Sequence, residues 1–401
     1  MSASADEVAR PTLRVRGLLG RTEPILITGG RAVADYREAF VGIDVAKLRN
    51  AIAIAEAGRE GEVRFFGEVD ASGTNMGRII ARIANRFDRV HFCYEAGPTG
   101  YGLYRLIRSL GHECTVVAPS QIPRKPGDRV KTNRRDAVSL ARLLRAGELT
   151  AVWVPDEGHE ALRDLVRARA AAVEALRVHR QQVSAFMLKH GRTYPRKKGW
   201  TMRYLRWLQE QQFDHPAHQI ALQEMVEAVR VARERVDRLE CTIEEFVTAW
   251  SLEPLVRAFQ TLRGVDLIVA VTFATEVGDM SRFESPRQLM GYLGLVPSER
   301  STGESVRRGG ITKAGNGRVR HMLIESAWTY RHPPKIGKTK LYRLEHASPA
   351  VREIAWKAQS RLTSRYRKLA ARGKRATVVC AAIARELVGF MWAVARQVQA
   401  A

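Results

Sequence analysis

The sequence predicts an α/β domain followed by a mainly helical part. Between residues 40 and 150, short apolar strand patterns alternate with amphipathic helix patterns. Between residues 222 and 250, apolar side chains recur every seventh residue, which is typical of a long helix packed on a partner helix. We therefore predict the class α/β plus α: a mixed sheet with helices, a long coiled-coil hairpin, and a mainly helical second domain.

The first domain has the predicted order βββαβαβα. The strand patterns are residues 40–47, 51–56, 62–69, 89–94 and 114–118. The helix patterns are residues 74–87, 101–110 and 133–146. This order specifies a mixed sheet with helices packed on it, and ligands bind such sheets at the carboxyl ends of the strands.

Three carboxylates belong to these elements. Asp44 lies in the first strand pattern, Glu95 follows the fourth, and Asp136 opens the last helix, with Asn133 on the same helical face. Holding three carboxylates together is costly without a cation, and hard divalent cations prefer oxygen ligands. We expect Asp44, Glu95 and Asp136 to hold one or two Mg²⁺ ions of the kind that assist phosphoryl transfer. The alternative is that Glu95 and Asp136 only cap helices.

A basic, Pro- and Gly-containing loop lies beside these acids. Its cations are Arg124, Lys125, Arg129 and Lys131. Its position favours contact with phosphates, and an ordinary solvated loop is the alternative.

The middle of the chain predicts two long helices. Apolar residues fill the a positions (Leu222, Val229, Val236, Ile243, Trp250) and the d positions (Met225, Ala232, Leu239, Phe246) of four heptads. This pattern indicates a coiled coil, and the stretch 159–190 is its candidate antiparallel partner. The pattern leaves open whether these apolar positions pack against a helix of the same chain or of another chain.

Between these helices, cations alternate with aromatic residues. Arg196, Lys197 and Lys198 stand among Tyr194, Trp200, Tyr204 and Trp207. Such a mixture suits single-stranded or looped nucleic acid. An ordinary helical hairpin tip with packed aromatic side chains explains it equally well.

A second stretch rich in functional groups spans residues 297–318. It combines hydroxyls and glycines with the cations Arg300, Arg307, Arg308, Lys313 and Arg318. A hydroxyl there could attack DNA and form a phosphoester. The alternative, a loop that only binds phosphate, is favoured by the residues alone.

The charge of the chain indicates a polyanionic partner. The sequence contains 66 Lys and Arg against 42 Asp and Glu, a formal net charge of +24. Nucleic acid is the simplest such partner. We find no apolar run long enough to span a bilayer and no lipidation or secretory signal, so we expect no membrane association and a cytoplasmic location. The four cysteines have no metal-ligand spacing and are expected to be buried thiols.

Several motifs together resemble the DEDD transposases of the IS110 family of insertion sequences. They are Gly42-Ile43-Asp44-Val45-Ala46-Lys47, Tyr94-Glu95-Ala96-Gly97, Lys131-Thr132-Asn133-Arg134-Arg135-Asp136-Ala137, Tyr292-Leu293-Gly294-Leu295-Val296-Pro297, and the following Ser-Thr-Gly and Gly-Ile-Thr-Lys-Ala-Gly-Asn stretches. The resemblance runs in the family order from residue 40 to about residue 330.

This resemblance implies a RuvC-like (RNase H-like) domain, a coiled coil and a small second transposase domain. It implies recombination of donor and target DNA guided by a structured non-coding bridge RNA. It also implies an acidic tetrad that holds Mg²⁺ and a serine that attacks the DNA. The active site would be composite, drawing on different subunits of a homo-oligomer, a dimer or a tetramer.

Two positions depart from the family pattern. Asp44, Glu95 and Asp136 match three acids of the tetrad, but the fourth falls on Asn133, whose amide oxygen carries no charge and should bind a cation more weakly. By spacing, the family's serine falls on Thr302, whereas Ser301 has the less hindered hydroxyl. The sequence does not decide between Ser301 and Thr302.

We divide the chain into five predicted segments. They are a basic, flexible N-terminal segment (1–39), the catalytic domain (40–155), the coiled-coil hairpin (156–254), the second transposase domain (255–345) and basic C-terminal helices (346–401). The predicted function is an RNA-guided transposase. The alternatives are a RuvC-type nuclease that hydrolyses DNA with water, and a non-catalytic nucleic-acid-binding protein.

Overall fold

A mixed five-stranded sheet organises the first part of the chain. The computed structural model describes residues 37–123 and 132–399, and the chain forms two compact units, Met1–Val152 and Trp153–Ala401. The strands of the first unit are β1 (Glu38–Asp44), β2 (Arg49–Glu56), β3 (Val63–Asp70), β4 (Arg89–Glu95) and β5 (Glu113–Val117). Its helices are α1 (Gly73–Ala84), α2 (Gly102–Ser109) and α3 (Asn133–Arg145). The predicted element order is confirmed.

The strand order across the sheet is β3-β2-β1-β4-β5. β2 pairs antiparallel with both β1 and β3, whereas β4 pairs parallel with both β1 and β5. The carboxyl ends of β1, β4 and β5 therefore lie at one edge of the sheet. The predicted mixed sheet with helices is confirmed.

Helix α3 packs directly on β1 because β1 has a glycine where the two elements meet. A Cβ atom on Gly42 would lie 2.4 Å from both the carbonyl oxygen of Ala137 and the backbone nitrogen of Ala141. Ala137 and Ala141 are themselves fully buried against the sheet. Small side chains on both elements thus let the two backbones touch.

We expect Gly42→Ala to destabilise the first unit by about 1–3 kcal/mol, because the added methyl group must displace the backbone of α3. Amide hydrogen exchange in β1 would measure the loss. Gly77→Ala in α1 is the matched control, since nothing lies within 4 Å of its added Cβ and alanine favours a helix interior. Equal exchange in the two variants would contradict this packing account.

The second unit is mainly helical. Its helices are α4 (Glu157–Lys189), α5 (Met202–Gln209), α6 (Pro216–Thr248), α7 (Glu253–Phe259), α8 (Leu267–Val277), α9 (Pro286–Tyr292), α10 (Gly317–Ala327), α11 (Lys338–Glu345), α12 (Pro349–Ala371) and α13 (Ala376–Gln399). Its two short strands are β6 (Pro297–Glu299) and β7 (Arg308–Ile311). Helix α11 and the β6–β7 hairpin were not predicted from the sequence.

The helices α4 and α6, each of 33 residues, pack on each other. Arg169 in the first half of α4 contacts Glu240 in the second half of α6, whereas His190 at the end of α4 lies 4.5 Å, ring to ring, from His218 at the start of α6. The helices therefore run antiparallel. The a-position residues Leu222, Val229, Val236 and Ile243 are buried, whereas Phe246 at a d position is 62 % exposed. A coiled coil between these helices stays a prediction.

One apolar core joins α7, α8, α9, α10, α12 and α13. The boundary predicted at residue 345 therefore runs through a continuous core, and the finer division of the second unit stays a proposal.

Helix α13 contradicts the statement that the sequence contains no apolar run long enough to span a bilayer. By length and composition its 24 residues are apolar enough to cross a bilayer. Half of its most apolar window is buried inside the second unit, and Glu386 on this helix accepts a hydrogen bond from Arg361 of α12. The apolar character of α13 is therefore explained by its place in the core.

All four cysteines are free thiols. Cys93 and Cys380 are buried as expected, and Cys114 is partly buried. Cys241 on α6 is exposed, which contradicts the expectation for that residue.

Candidate active site

Two of the predicted acids stand at the ends of neighbouring parallel strands. Ile43 of β1 is in register with Tyr94 of β4, so Asp44 and Glu95 are the next residues on the two strands. Both residues are partly buried. The sheet thus places the two carboxylate-bearing residues side by side.

Helix α3 brings the other two predicted residues to the same edge. Its N-cap is Thr132, whose hydroxyl accepts a hydrogen bond from the backbone N–H of Arg135 at 3.3 Å. Asn133 is the exposed first residue of the helix, and Asp136 is partly buried in its first turn. Because the next residue, Ala137, packs on Gly42 of β1, the start of α3 lies close to the end of that strand.

The four residues share an edge, but their side chains are not gathered around one point. Within residues 37–123 and 132–399, no three His, Cys, Asp or Glu side chains lie close enough to hold one metal ion. Asp44 and Asp136 both interact with other groups. The donor types, three carboxylates and one amide, suit a hard divalent cation, and binding one would require these side chains to turn toward each other.

Asn50 is a residue of this edge that the sequence analysis did not identify. Its side chain is 2 % exposed, and its Oδ1 atom accepts a hydrogen bond from the backbone N–H of Ala46 at 3.1 Å. It thereby fixes the turn that follows Asp44. A polar residue at the start of the otherwise apolar strand β2 was the available signal.

The predicted hydroxyls lie at the tip of the β6–β7 hairpin. Backbone hydrogen bonds join Arg300 to Arg307 at 2.9 Å and join Thr302 and Ser305 reciprocally at 3.1 Å. Gly303 has φ +56°, as the first central residue of a tight hairpin turn requires. The hydroxyls that the sequence placed in a loop therefore lie at the exposed end of a β-hairpin.

Ser301 and Thr302 differ in their surroundings. The Ser301 hydroxyl donates a hydrogen bond to Oε1 of Glu299 at 2.8 Å, and Nε of Arg308 lies 3.3 Å from Oε2 of the same carboxylate. The hydrogen bond from Ser301, and then that from Arg308, lower the pKa of Glu299. Among the described residues, the Thr302 hydroxyl has no hydrogen-bond partner.

Known proteins similar to this chain are transposases. A family model for a DEDD transposase matches residues 41–191, and a model described as transposase IS116/IS110/IS902 family matches residues 256–340. The "Putative transposase y4qE" of Sinorhizobium fredii is 75 % identical over 397 residues, which cover 99 % of this chain and 98 % of that protein. The chain belongs to the IS110 family of transposases.

More distant relatives agree with this assignment. The transposase for insertion sequence element IS1533 of Leptospira borgpetersenii is 29 % identical over 84 % of this chain and 99 % of its own length. The transposase for IS1328 of Yersinia enterocolitica is 25 % identical over 76 % of this chain and 83 % of its own. The protein is therefore a DNA transposase, and its mixed sheet is consistent with the RNase H-like class.

In this transposase, a buried carboxylate holds the N-terminal end of α10, the helix that follows the β6–β7 hairpin. Glu276 of α8 has a side chain only 3 % exposed. It accepts two hydrogen bonds from Arg167 of α4, each of 2.8 Å, and one of 2.7 Å from Nδ2 of Asn316, the N-cap of α10. Arg318 lies 3.9 Å away. This network connects α4, α8 and α10. In the sequence, the only indication of it is an acidic residue in the mainly apolar helix α8.

The connection from β7 to α10 is also tightly packed. Lys313 has φ +57°, which is uncommon for a residue with a side chain. Gly315 has φ +64°, and a Cβ atom there would lie 1.9 Å from the carbonyl oxygen of Tyr292. Nη1 of Arg320 donates to the carbonyl oxygens of Leu293 and Ala314 at 2.9 and 2.7 Å. These contacts hold the base of the hairpin against the end of α9.

We expect Glu276→Gln to reduce the free energy of unfolding of the second unit by about 2–4 kcal/mol. The substitution leaves the Arg167 charge without its buried partner, and the partial exposure of Arg167 moderates the cost. All seven tryptophans lie in the second unit, so their fluorescence reports its unfolding in urea. Glu227→Gln, on the exposed surface of α6, is the matched control and should leave the midpoint unchanged.

The same variant tests a pH dependence. Burial raises the pKa of Glu276, but the hydrogen bonds and charge of Arg167, followed by Asn316 and Arg318, outweigh it and leave the pKa below the ordinary value of 4.5. The stability that Glu276 contributes is therefore present above pH 4.5 and is lost as the pH falls through the lowered pKa. Below pH 4.5, wild-type stability should fall more steeply than that of Glu276→Gln. Parallel curves would contradict the assignment.

The predicted nucleic-acid-binding residues fall into three groups. Arg300, Arg307 and Lys313 of the hairpin region, and Arg196, Lys197 and Lys198 of the loop before α5, are exposed. Arg308 and Arg318 are exposed but also pair with Glu299 and Glu276. Arg124, Lys125, Arg129 and Lys131, like residues 1–36 of the N-terminal segment, lie outside the described residues.

The aromatic residues near α5 have a structural role. The ring of Tyr204 lies 4.9 Å from that of Tyr194, 5.0 Å from Trp200 and 5.5 Å from Trp207. Tyr204 is buried, and the other three rings pack against the same core. The packing explanation therefore accounts for these aromatics, while the neighbouring cations stay available at the surface.

Proposed function

We propose that this transposase breaks and rejoins DNA through a covalent phosphoester with a hydroxyl of the β6–β7 hairpin. The observation that carries the proposal is the Ser301 hydroxyl, exposed at the hairpin end, hydrogen-bonded to a carboxylate and surrounded by arginines. Exposed arginines beside a hydroxyl favour the approach of a phosphodiester and stabilise the charge that develops on it during attack.

The reaction exchanges one ester for another. The hydroxyl oxygen forms a bond to phosphorus, the bond from phosphorus to a deoxyribose oxygen breaks, and that oxygen leaves with a proton. Attack by a deoxyribose hydroxyl on the protein–DNA phosphoester reverses the exchange and rejoins DNA. The number of phosphoester bonds does not change, so rejoining needs no external energy source.

Ser301 is our preferred nucleophile, with Thr302 as the alternative. The hydrogen bond to Glu299 orients the Ser301 hydroxyl, and the serine oxygen is less hindered than that of threonine. Because the pKa of Glu299 is lowered, its carboxylate stays ionised and is a weak base, which suits an orienting role better than full proton removal. The family spacing supports Thr302.

We further propose that Asp44, Glu95 and Asp136, with Asn133 as a neutral fourth ligand, hold Mg²⁺ as one or two ions. Divalent metal ions are typical of this family. Bound Mg²⁺ would supply positive charge for the phosphate oxygens. The residues of the sheet edge supply oxygen donors from two adjacent strands and one helix, and Asn133 reduces the negative charge of the set.

The acids and the hydroxyl belong to different compact units, and we propose that different subunits of a homo-oligomer, a dimer or a tetramer, contribute them to one site. A coiled coil of α4 and α6 would support such an assembly. Mixing an Asp44→Asn chain with a Ser301→Ala chain should then restore activity that neither has alone. Failure to restore it, with mixed oligomers demonstrated, would exclude this arrangement.

We also propose a structured non-coding RNA as the guide that selects donor and target DNA, in a cytoplasmic protein. The excess positive charge and the exposed cations near α5 support a second polyanionic partner beside DNA. Sequencing the RNA that co-purifies with the protein would identify the guide. Recombination at full rate by protein freed of RNA would contradict the proposal.

A denaturing gel tests the covalent mechanism. Protein incubated with end-labelled DNA and Mg²⁺ should give a labelled species that resists detergent and disappears on protease treatment. The acidic sheet edge also supports a second candidate, a RuvC-type nuclease that uses water, which would give free DNA ends and no such species. Neither adducts nor cleaved ends would favour a non-catalytic nucleic-acid-binding protein.

A further inference from the structure

A groove between α11 and α12 exposes three large apolar side chains. The cavity has a volume of about 290 Å³ and lies within the second unit. Its lining includes Ile336, Leu341 and Trp356, which are 41 %, 49 % and 53 % exposed. Exposed apolar side chains gathered at one concave site usually mark a binding surface.

Cations surround this apolar surface. Lys335, Arg352 and Arg263 line the groove, against a single carboxylate, Glu345. Nη1 of Arg263 is held by the carbonyl oxygen of Pro333 at 2.8 Å. The side chains of Lys335 and Arg352 make no hydrogen bond or ion pair with any other described residue, so their charges are available to a ligand.

The base of the groove is fixed. Nζ of Lys340 donates to the carbonyl oxygens of Leu262 and Val265, each at 2.7 Å, and also to that of Gln260. Gln359, also in the lining, is buried. The groove is therefore already formed around Trp356 and does not depend on a rearrangement of its base.

We propose that this groove binds an unpaired nucleotide of the DNA, with its base stacked on Trp356 and its phosphate held by Arg352 and Lys335. Aromatic rings stack with any base, and adjacent cations hold the backbone, which together are typical of single-strand binding. The cationic surroundings favour a polyanion over an apolar protein surface. DNA is the substrate of a transposase, and strand exchange leaves nucleotides without their pairing partners.

This inference is independent of the covalent mechanism, because binding requires neither the hairpin hydroxyl nor a metal ion. The experiment is fluorescence anisotropy with the full-length protein and a 5′-labelled oligo(dT) strand. Trp356→Ala should weaken binding about tenfold, Trp356→Phe should retain most of it, and Arg352→Gln should weaken binding and reduce its salt dependence. Tyr342→Ala is the matched control, since Tyr342 is 63 % exposed on α11 but does not line the groove.

Unchanged binding by both Trp356→Ala and Arg352→Gln would overturn the proposal, as would an equal loss in Tyr342→Ala. If an oligo(U) strand bound more tightly than oligo(dT), and if Trp356→Ala weakened that binding, the groove would be assigned to RNA instead. Loss of the oligomer in Trp356→Ala, measured by size-exclusion chromatography, with unchanged oligo(dT) affinity, would assign it to a subunit contact. Each variant should unfold at the same urea midpoint as the wild-type protein, which shows that it is folded.

Discussion

Asp44→Asn is expected to reduce recombination about 1,000-fold or more while leaving DNA binding intact. The substitution keeps the size of the side chain but removes the charge of the residue that ends β1 beside Glu95. Charge stabilisation by a metal ion contributes several kcal/mol to phosphoryl transfer, and each 1.4 kcal/mol corresponds to about tenfold in rate. Recombination between two plasmids, together with DNA binding by gel shift, measures both properties.

Asp70→Asn is the matched control for this prediction. Asp70 ends β3, a strand of the same sheet, but it is exposed and accepts a hydrogen bond from the backbone of Ser72. It is not part of the predicted acid set, so the variant should recombine at the wild-type rate. Normal recombination by Asp44→Asn would show that the acidic edge is not the metal site.

Ser301→Ala is expected to abolish the protein–DNA adduct and to reduce recombination about 10,000-fold, because loss of a nucleophile removes the whole covalent route. Thr302→Ala should retain the adduct. Ser305→Ala is the control, since Ser305 is a hydroxyl residue of the same hairpin end that pairs with Thr302 through backbone atoms. The labelled adduct on a denaturing gel is the readout for all three variants.

The opposite pattern would reassign the nucleophile. Adducts in Ser301→Ala but not in Thr302→Ala would mean that the family spacing, and not the hydrogen bond to Glu299, identifies the reactive hydroxyl. Adducts in both single variants and in the double variant would exclude both Ser301 and Thr302 as the nucleophile.

The first unit was largely predictable from the sequence because its signals are local. Most strands are short, mainly apolar runs, and their order along the chain led us to expect Asp44 and Glu95 at one edge of the sheet. The pairing of β1 with β4, which makes these two residues neighbours, comes from the structure. The contact of α3 with β1 was not predictable, because it depends on Gly42 meeting Ala137 and Ala141, nearly a hundred residues later.

The second unit was harder to predict because its hairpin has a weak local pattern and its buried polar network joins residues far apart in the sequence. The strands β6 and β7 contain Pro297, two glycines and two charged residues, so no apolar alternation distinguished them from a loop. The partners of Glu276 stand 109 and 40 residues away, and only the tertiary fold brings them together. The proposed composite active site would depend on subunit assembly, which a single sequence does not encode locally.

Mass spectrometry of the trapped protein–DNA adduct tests the central claim most directly. Trypsin cleaves after Arg300 and Arg307, so the peptide of residues 301–307 contains Ser301, Thr302 and Ser305 and no other hydroxyl side chain. After nuclease digestion, we predict this peptide with an added nucleotide phosphate, and fragment ions that place the addition on Ser301. DNA cleaved to free ends, with residues 301–307 recovered unmodified, would contradict the account.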